Sequence, residues 1–172
     1  MDDTHPVTTV FESDLGWMGV QWVGKLVVRT TFGHADPGSA LEKLPYEDDP
    51  RERLNQAQAA LVKAMCRNAS GRKVDFSRIE LETSDFTPFQ LAVLKACRAV
   101  VWGETETYGG LAASAGSPRA ARAAGSVMSK NRFPIIVPCH RIIASGHRPG
   151  GFTAPGGVSM KERMLQMEGW NR

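Results

Sequence analysis

The longest runs of β-branched and aromatic residues lie near the start of the chain, and they commit that part to a sheet of consecutive strands. VTTVF and WMGVQWVGKLVVRTTF, within residues 7–32, are broken by Ser13–Gly16 and Gly24–Lys25, which predicts a short antiparallel meander. The hydrophobic period then changes. Over 51–69, Leu54, Ala57, Leu61, Ala64 and Met65 recur at helical spacing, with Cys66 on or near the packed side and Gly71 ending the helix. Residues 77–83 can add one more short strand. A second helix opens at Thr87–Pro88, a cap followed by proline at the first helical position, and stops at Gly103. Its stripe of Phe89, Val93, Ala96, Cys97 and Val100 makes Cys97 core filling rather than a nucleophile.

With 172 residues, 42% of them apolar and 23% charged, the chain can bury a core and reads as globular, with one ordinary domain or two small ones. A division into a small α/β domain over 1–85 and a helical domain over 86–172 is expected, an α/β (α+β) chain overall. No stretch approaches the ~20 apolar residues of a membrane span, and MDDTHP lacks the features of a signal peptide. A soluble cytoplasmic protein is expected. Three cysteines without a CxxC pair argue against a disulfide framework and against zinc, so no metal or cofactor is expected.

Charge is unevenly placed. Residues 1–106 hold 16 acidic and 12 basic side chains, whereas 107–161 hold seven basic ones (Arg119, Arg122, Lys130, Arg132, Arg141, Arg148, Lys161) and no Asp or Glu. Such a segment suits a polyanion; a basic face that aids solubility is the alternative. Within it, Thr107 can cap a helix over Tyr108–Ala115, Gly116 supplies a turn, and Ser117–Pro118 can cap a second helix through about Met128, a helix-turn-helix. The second helix reads Pro118, Arg119, Ala120, Ala121, Arg122, Ala123, Ala124, Gly125. Major-groove readers present long polar side chains. A surface of alanine and glycine suits close approach to a minor groove with little sequence preference, or tight internal packing.

Ile135-Ile136-Val137, a candidate buried strand, leads to Pro138-Cys139-His140-Arg141. A thiol of ordinary pKa is mostly protonated at neutral pH, so a reactive cysteine needs a base or nearby cations, and both stand beside Cys139. A buried structural cysteine is the alternative. In a C-terminal helix over Val158–Gly169, Glu168 shares the inward face of Met164 and Leu165 and could partner His140. A surface position for Glu168 is equally open.

Val137-Pro138-Cys139-His140-Arg141-Ile142, preceded by Tyr108-Gly109-Gly110-Leu111-Ala112 and Arg119-Ala120-Ala121-Arg122-Ala123-Ala124-Gly125, resembles the O6-alkylguanine-DNA alkyltransferases (methylated-DNA–protein-cysteine methyltransferases). The resemblance is strong over about 86–169 and loose before it. It implies an RNase H-like N-terminal domain and a helical DNA-binding domain with the helix-turn-helix. It further implies direct-reversal DNA repair: the alkyl group of a flipped-out O6-alkylguanine passes irreversibly to Cys139, once per molecule. By the resemblance, His140 is a water-mediated base with Glu168 behind it, and Asn131 braces the turn before the active-site strand. Arg122 is the finger that replaces the extruded base, and Tyr108 crowds the target phosphate. Arg119, Ala121, Ser117 and Gly125 belong to the DNA-binding surface, and Met128, Pro134, Phe152 and Thr153 to the alkyl pocket. The partner implied is double-stranded DNA, met at the minor groove by a monomer, with cooperative binding left open. Work at a nucleoid or in a nucleus would follow from such a partner.

The segment from Phe152 to Gly156-Gly157 is longer than the family's common form. Three rival readings remain: a lesion-binding module, whose known forms lack the acceptor thiol; a helix-turn-helix regulator; and a cysteine hydrolase, for which the basic segment would have no purpose.

Overall fold

The computed structural model describes residues 5–44 and 54–171. These fall into two compact units: one runs to Glu82 and includes Arg132–Ile135, and the other comprises Thr83–Asn131 and the chain from Ile136 onward. A single cut after residue 85 does not anticipate the return of Arg132–Ile135 to the first unit.

In the first unit, β1 (Pro6–Phe11), β2 (Trp17–Val23) and β3 (Leu26–His34) form an antiparallel sheet in sequential order. Gly16 makes the first turn possible: its φ is +92°, and a side chain there would meet the His34 carbonyl at 2.8 Å. The central strand β2 is buried over Met18–Trp22, and Gln21 there is satisfied in part by donating to the Thr8 hydroxyl at 2.8 Å. A short helix, α1 (Pro37–Leu41), follows Asp36, whose carboxylate accepts from the Ser39 N–H.

The amphipathic helix α2 spans Gln56–Ala69, so the expected start at 51 lies outside the described residues. Its buried face carries Gln58, Leu61, Met65, Asn68 and Ala69, and Ala57 is exposed. The register differs from the apolar stripe because Gln58 completes a capping box with Asn55, which turns its polar side chain inward to the helix start. The strand expected over 77–83 shrinks to one parallel bridge, Val27 to Leu81, with the Val27 N–H donating to Glu80 and its carbonyl accepting from Glu82.

The second unit opens with α3 (Pro88–Ala99), started by a Thr87–Gln90 capping box. It ends at Ala99, before Gly103. Val93, Leu94 and Cys97 are its buried residues. Next come β4 (Glu106–Thr107) and α4 (Tyr108–Ser114), with Thr107 accepting from the Gly110 N–H as cap. The second helix of the expected pair, α5, begins only at Ala121 and runs to Ser129. Pro118 and Arg119 sit in the middle of a turn closed by the Ala120 N–H on the Ser117 carbonyl at 2.9 Å. Proline suits the second position of such a turn as well as a helix start, and here the turn prevails, so Ser117 is no cap. The chain closes with β5 (Ile142–Ile143), parallel to β4, and α6 (Gly157–Met167). Among the described residues, no helix is long and apolar enough to cross a membrane.

Candidate active site

Ile135-Ile136-Val137 is buried but does not form a strand. The backbone turns over 134–136, where Ile135 has a φ of +75°, and Pro138 (φ −80°, ψ 65°) then folds the chain into an inverse γ-turn in which the Cys139 N–H donates to the Val137 carbonyl at 2.8 Å. The Asn131 side-chain amide donates to the same carbonyl at 3.0 Å, tying the end of α5 to this turn. Cys139–Arg141 then form one 3-10 turn, with the Arg141 N–H donating to Pro138. The strand β5 follows at once and pairs with β4, whose last residue caps α4. Four adjacent backbone elements therefore place Tyr108, the first residue of α4, beside Cys139.

Below the thiol lies a buried ionic cluster. The ionised Glu168 carboxylate accepts from His140 Nε2 through Oε1 at 2.7 Å. It accepts from Arg141 Nε through Oε2 at 2.8 Å and from Arg141 Nη2 through Oε1 at 3.1 Å. The Gly103 N–H adds a bond to Oε2 at 3.2 Å, and Arg141 Nη1 donates to the Val100 carbonyl at 2.7 Å. Burial alone would raise the Glu168 carboxyl. The His140 hydrogen bond and the Arg141 guanidinium outweigh it and hold the group at about 2. His140 is 2% exposed, and burial pushes its pKa down against the pull of Glu168, so the ring is neutral at pH 7. With Nε2–H committed to the carboxylate, the other ring nitrogen, Nδ1, is left as an acceptor.

Cys139 is half-buried. Burial pushes its thiol up, opposed by a hydrogen bond from the Asn131 side chain, the Lys161 charge and the backbone N–H groups of Cys139 and His140. The site thus holds a neutral thiol and a neutral imidazole at rest, with four groups that favour the thiolate once a proton leaves. Cys97 is fully buried and its thiol is pushed well up, which makes it inert.

Cys139 lies on the wall of a cavity of about 430 Å³ lined by Tyr108, Ala121, Arg122, Gly125, Met128, Ser129, Gly151, Phe152 and Thr153. Of the residues singled out from the sequence, Ala121, Arg122, Gly125, Tyr108, Met128, Phe152 and Thr153 meet here. Pro134 is not among the lining residues; it belongs to the first unit, where its carbonyl accepts from Thr30. Arg119 and Ser117 lie on the α4–α5 turn and do not line the cavity. Tyr108 is wedged between two glycines: a side chain on Gly125 would stand 3.6 Å from its ring, and one on Gly150 3.3 Å. The Thr153 hydroxyl donates to the Ser129 carbonyl at 3.2 Å and fastens the longer loop to the end of α5.

Lys161 is a site residue that the sequence reading did not single out. It is fully buried, its ammonium donates to the Ile142 carbonyl and at 3.4 Å to Gly151, and it stands 5.7 Å from the ring centres of Tyr108 and Phe152. Burial pushes it down to about 8. Its signal is the spacing Lys161, Met164, Leu165, Glu168 on one helical stripe, a cation as well as an acid on the inward face. Burial also reduces the basic footprint: of the seven cations over 107–161, Arg119, Arg122, Lys130 and Arg148 are exposed. Among the described residues, no group of three or more His, Cys, Asp or Glu side chains could hold a metal ion.

The family model described as "6-O-methylguanine DNA methyltransferase, DNA binding domain" matches residues 88–170. The methylated-DNA–protein-cysteine methyltransferase of Mycobacterium leprae is 38% identical over 153 residues, 85% of this chain and 87% of that relative. That of Methanothermobacter thermautotrophicus is 43% identical over 100 residues, 58% of this chain, and the match spans about half (54%) of that relative's length. Among solved structures, Mycobacterium tuberculosis OGT in complex with DNA superposes with a TM-score of 0.73 at 27% identity, covering 94% of this chain and 92% of that one.

Proposed function

Because the chain belongs to the methylated-DNA–protein-cysteine methyltransferase family, we propose that it repairs O6-alkylguanine in duplex DNA by taking the alkyl group onto Cys139. The observation that carries this reading is a half-buried thiol on the wall of a cavity that also bears Arg122 and Tyr108, with a neutral His140 behind it.

The O6-alkyl carbon is out of reach inside a stacked duplex, so the nucleotide turns out of the helix, at a cost of about a few kcal/mol for unstacking and unpairing. Arg122, exposed on α5, fills the space the base leaves, and Tyr108 crowds the phosphate of the target nucleotide. The exposed positions of α5 beside Arg122 are small, Ala123, Ser126 and Ser129, which suits close approach to the minor groove with little regard to sequence. The extruded base enters the cavity with its alkyl group toward Cys139.

The Cys139 proton passes by way of water to His140 Nδ1, and the Glu168 carboxylate stabilises the imidazolium. The thiolate attacks the alkyl carbon, the S–C bond forms as the C–O6 bond breaks, and the electron pair leaves on guanine O6, which accepts a proton or hydrogen bond. The product is a thioether that thiol exchange does not reverse, so each molecule reacts once. The protein acts on DNA as a monomer, in the compartment that holds the genome.

A duplex in which one O6-methylguanine blocks a restriction site tests this. Incubation with the protein restores cleavage in proportion to protein added, and Cys139→Ala restores none. Cleavage regained with Cys139→Ala, or regained catalytically, would remove Cys139 from the role given to it.

A further inference from the structure

The chain returns to the first unit once, immediately before the nucleophile. Arg132–Ile135 belongs with β1–β3, whereas Asn131 and Ile136–Cys139 belong to the second unit. One residue of β3 holds this return through two hydrogen bonds. The Thr30 N–H donates to the Arg132 carbonyl at 2.9 Å, and the Thr30 hydroxyl donates to the Pro134 carbonyl at 2.7 Å. Thr30 is 3% exposed, so water does not compete for these bonds.

The next residue, Ile135, has a φ of +75°. A β-branched side chain disfavours that left-handed conformation, so it persists only where the surroundings impose it. What imposes it is on both sides: the Thr30 bonds fix the backbone up to Pro134, and the Ile135 side chain is itself 3% exposed. Four residues later the chain reaches Cys139, and within that stretch Val137 is tied by Asn131 and Pro138 is locked in its γ-turn. The direction in which the chain enters this turn is therefore set at Arg132–Ile135.

We infer that Thr30 is a positioning residue for Cys139, acting from the first unit through the Pro134 carbonyl and the left-handed Ile135. Resting on the reading of Cys139 as alkyl acceptor, this gives the sheet a part in the reaction beyond stability. Thr30 touches neither DNA nor the reacting atoms in this role. Removing its hydroxyl frees the Pro134 carbonyl to shift and lets Ile135 relax, which moves the sulfur relative to the cavity.

The test compares Thr30→Val, which keeps shape and loses the hydroxyl donor, with Thr30→Ser, which keeps the donor. Three quantities are measured for each: the single-turnover rate at saturating O6-methylguanine duplex, the affinity for that duplex, and peptide-resolved labelling of Cys139 by iodoacetamide. Thr30→Val should keep wild-type affinity and lose about tenfold or more in rate, the scale expected of a small misplacement of a reacting group. Its Cys139 labelling should change, and Thr30→Ser should return both rate and labelling to the wild-type values. A wild-type rate in Thr30→Val, a Thr30→Ser as slow as Thr30→Val, or a loss of rate matched by an equal loss of affinity would overturn the proposal. If the wild-type protein transfers nothing, the acceptor reading fails by itself. Labelling then decides the role of Thr30: a change in Thr30→Val reversed in Thr30→Ser supports it, and unchanged labelling overturns it.

Discussion

Cys139 and His140 are both neutral before reaction, and this governs how the site responds to pH. The imidazole serves as a base only when unprotonated, and burial sets its pKa below the usual 6.5 despite the pull of Glu168. Single-turnover transfer measured against pH should therefore fall with a midpoint below pH 6.5; a fall centred above 6.5 would contradict a buried neutral base. Glu168 carries a matching effect on stability. Its folded pKa of about 2 lies below the usual 4.5, so its contribution is fully present above pH 4.5 and is lost as pH falls toward 2. The linkage is on the order of 3 kcal/mol. Glu168→Gln should unfold at lower temperature at pH 7, because it leaves the buried Arg141 guanidinium without its carboxylate, and its loss of stability between pH 5 and pH 2 should be shallower than wild type, by about that amount.

At the scale of elements, the site depends on how closely α4, α5 and the loop after β5 approach one another. Tyr108 is held between Gly125 of α5 and Gly150 of the loop, and the two glycines differ in what they permit. At Gly125 a methyl group would reach the ring at 3.6 Å, an ordinary contact, so Gly125→Ala should leave thermal stability nearly unchanged. At Gly150 the backbone is left-handed (φ +74°) and a methyl group would stand 3.3 Å from the ring. Gly150→Ala should therefore lower stability by about 1 kcal/mol or more in denaturant unfolding, and slow transfer by displacing Tyr108. Equal behaviour of the two variants would mean that Tyr108 is not confined in this way.

For the whole molecule, charge counted along the chain and charge shown to solvent differ, and salt dependence separates them. Seven cations over 107–161 would give a slope of log affinity on log salt of about −6 if all met phosphate, whereas the four exposed ones limit that segment to about −4. Titrating duplex binding at several salt concentrations should give the shallower slope. The same contrast shows what the sequence made legible. Turn residues at Ser13–Gly16 and Gly24–Lys25 marked the meander because local chemistry decides such turns. Thr87–Pro88 marked a helix start for the same reason, but Ser117–Pro118 did not, since proline serves a turn equally well and the packing of α5 decided between them. Around Cys139, helical spacing turned Glu168 inward, and the same spacing held Lys161, hidden in the sequence among a run of cations that are otherwise mostly exposed. The left-handed Ile135 and its Thr30 tether had no local signal: isoleucine disfavours that conformation, and the residue that secures it lies over a hundred positions earlier.

Everything proposed for this site turns on Cys139 accepting the alkyl group, once. Intact-protein mass spectrometry after mixing with excess duplex carrying one O6-methylguanine reads this directly, with peptide mapping to locate the gain. Every molecule should gain the mass of one methyl group, all of it on Cys139, with Cys97 unmodified and no gain in Cys139→Ala. Duplex bound without any gain in mass, or a methyl group found on Cys66 or Cys97, would contradict it.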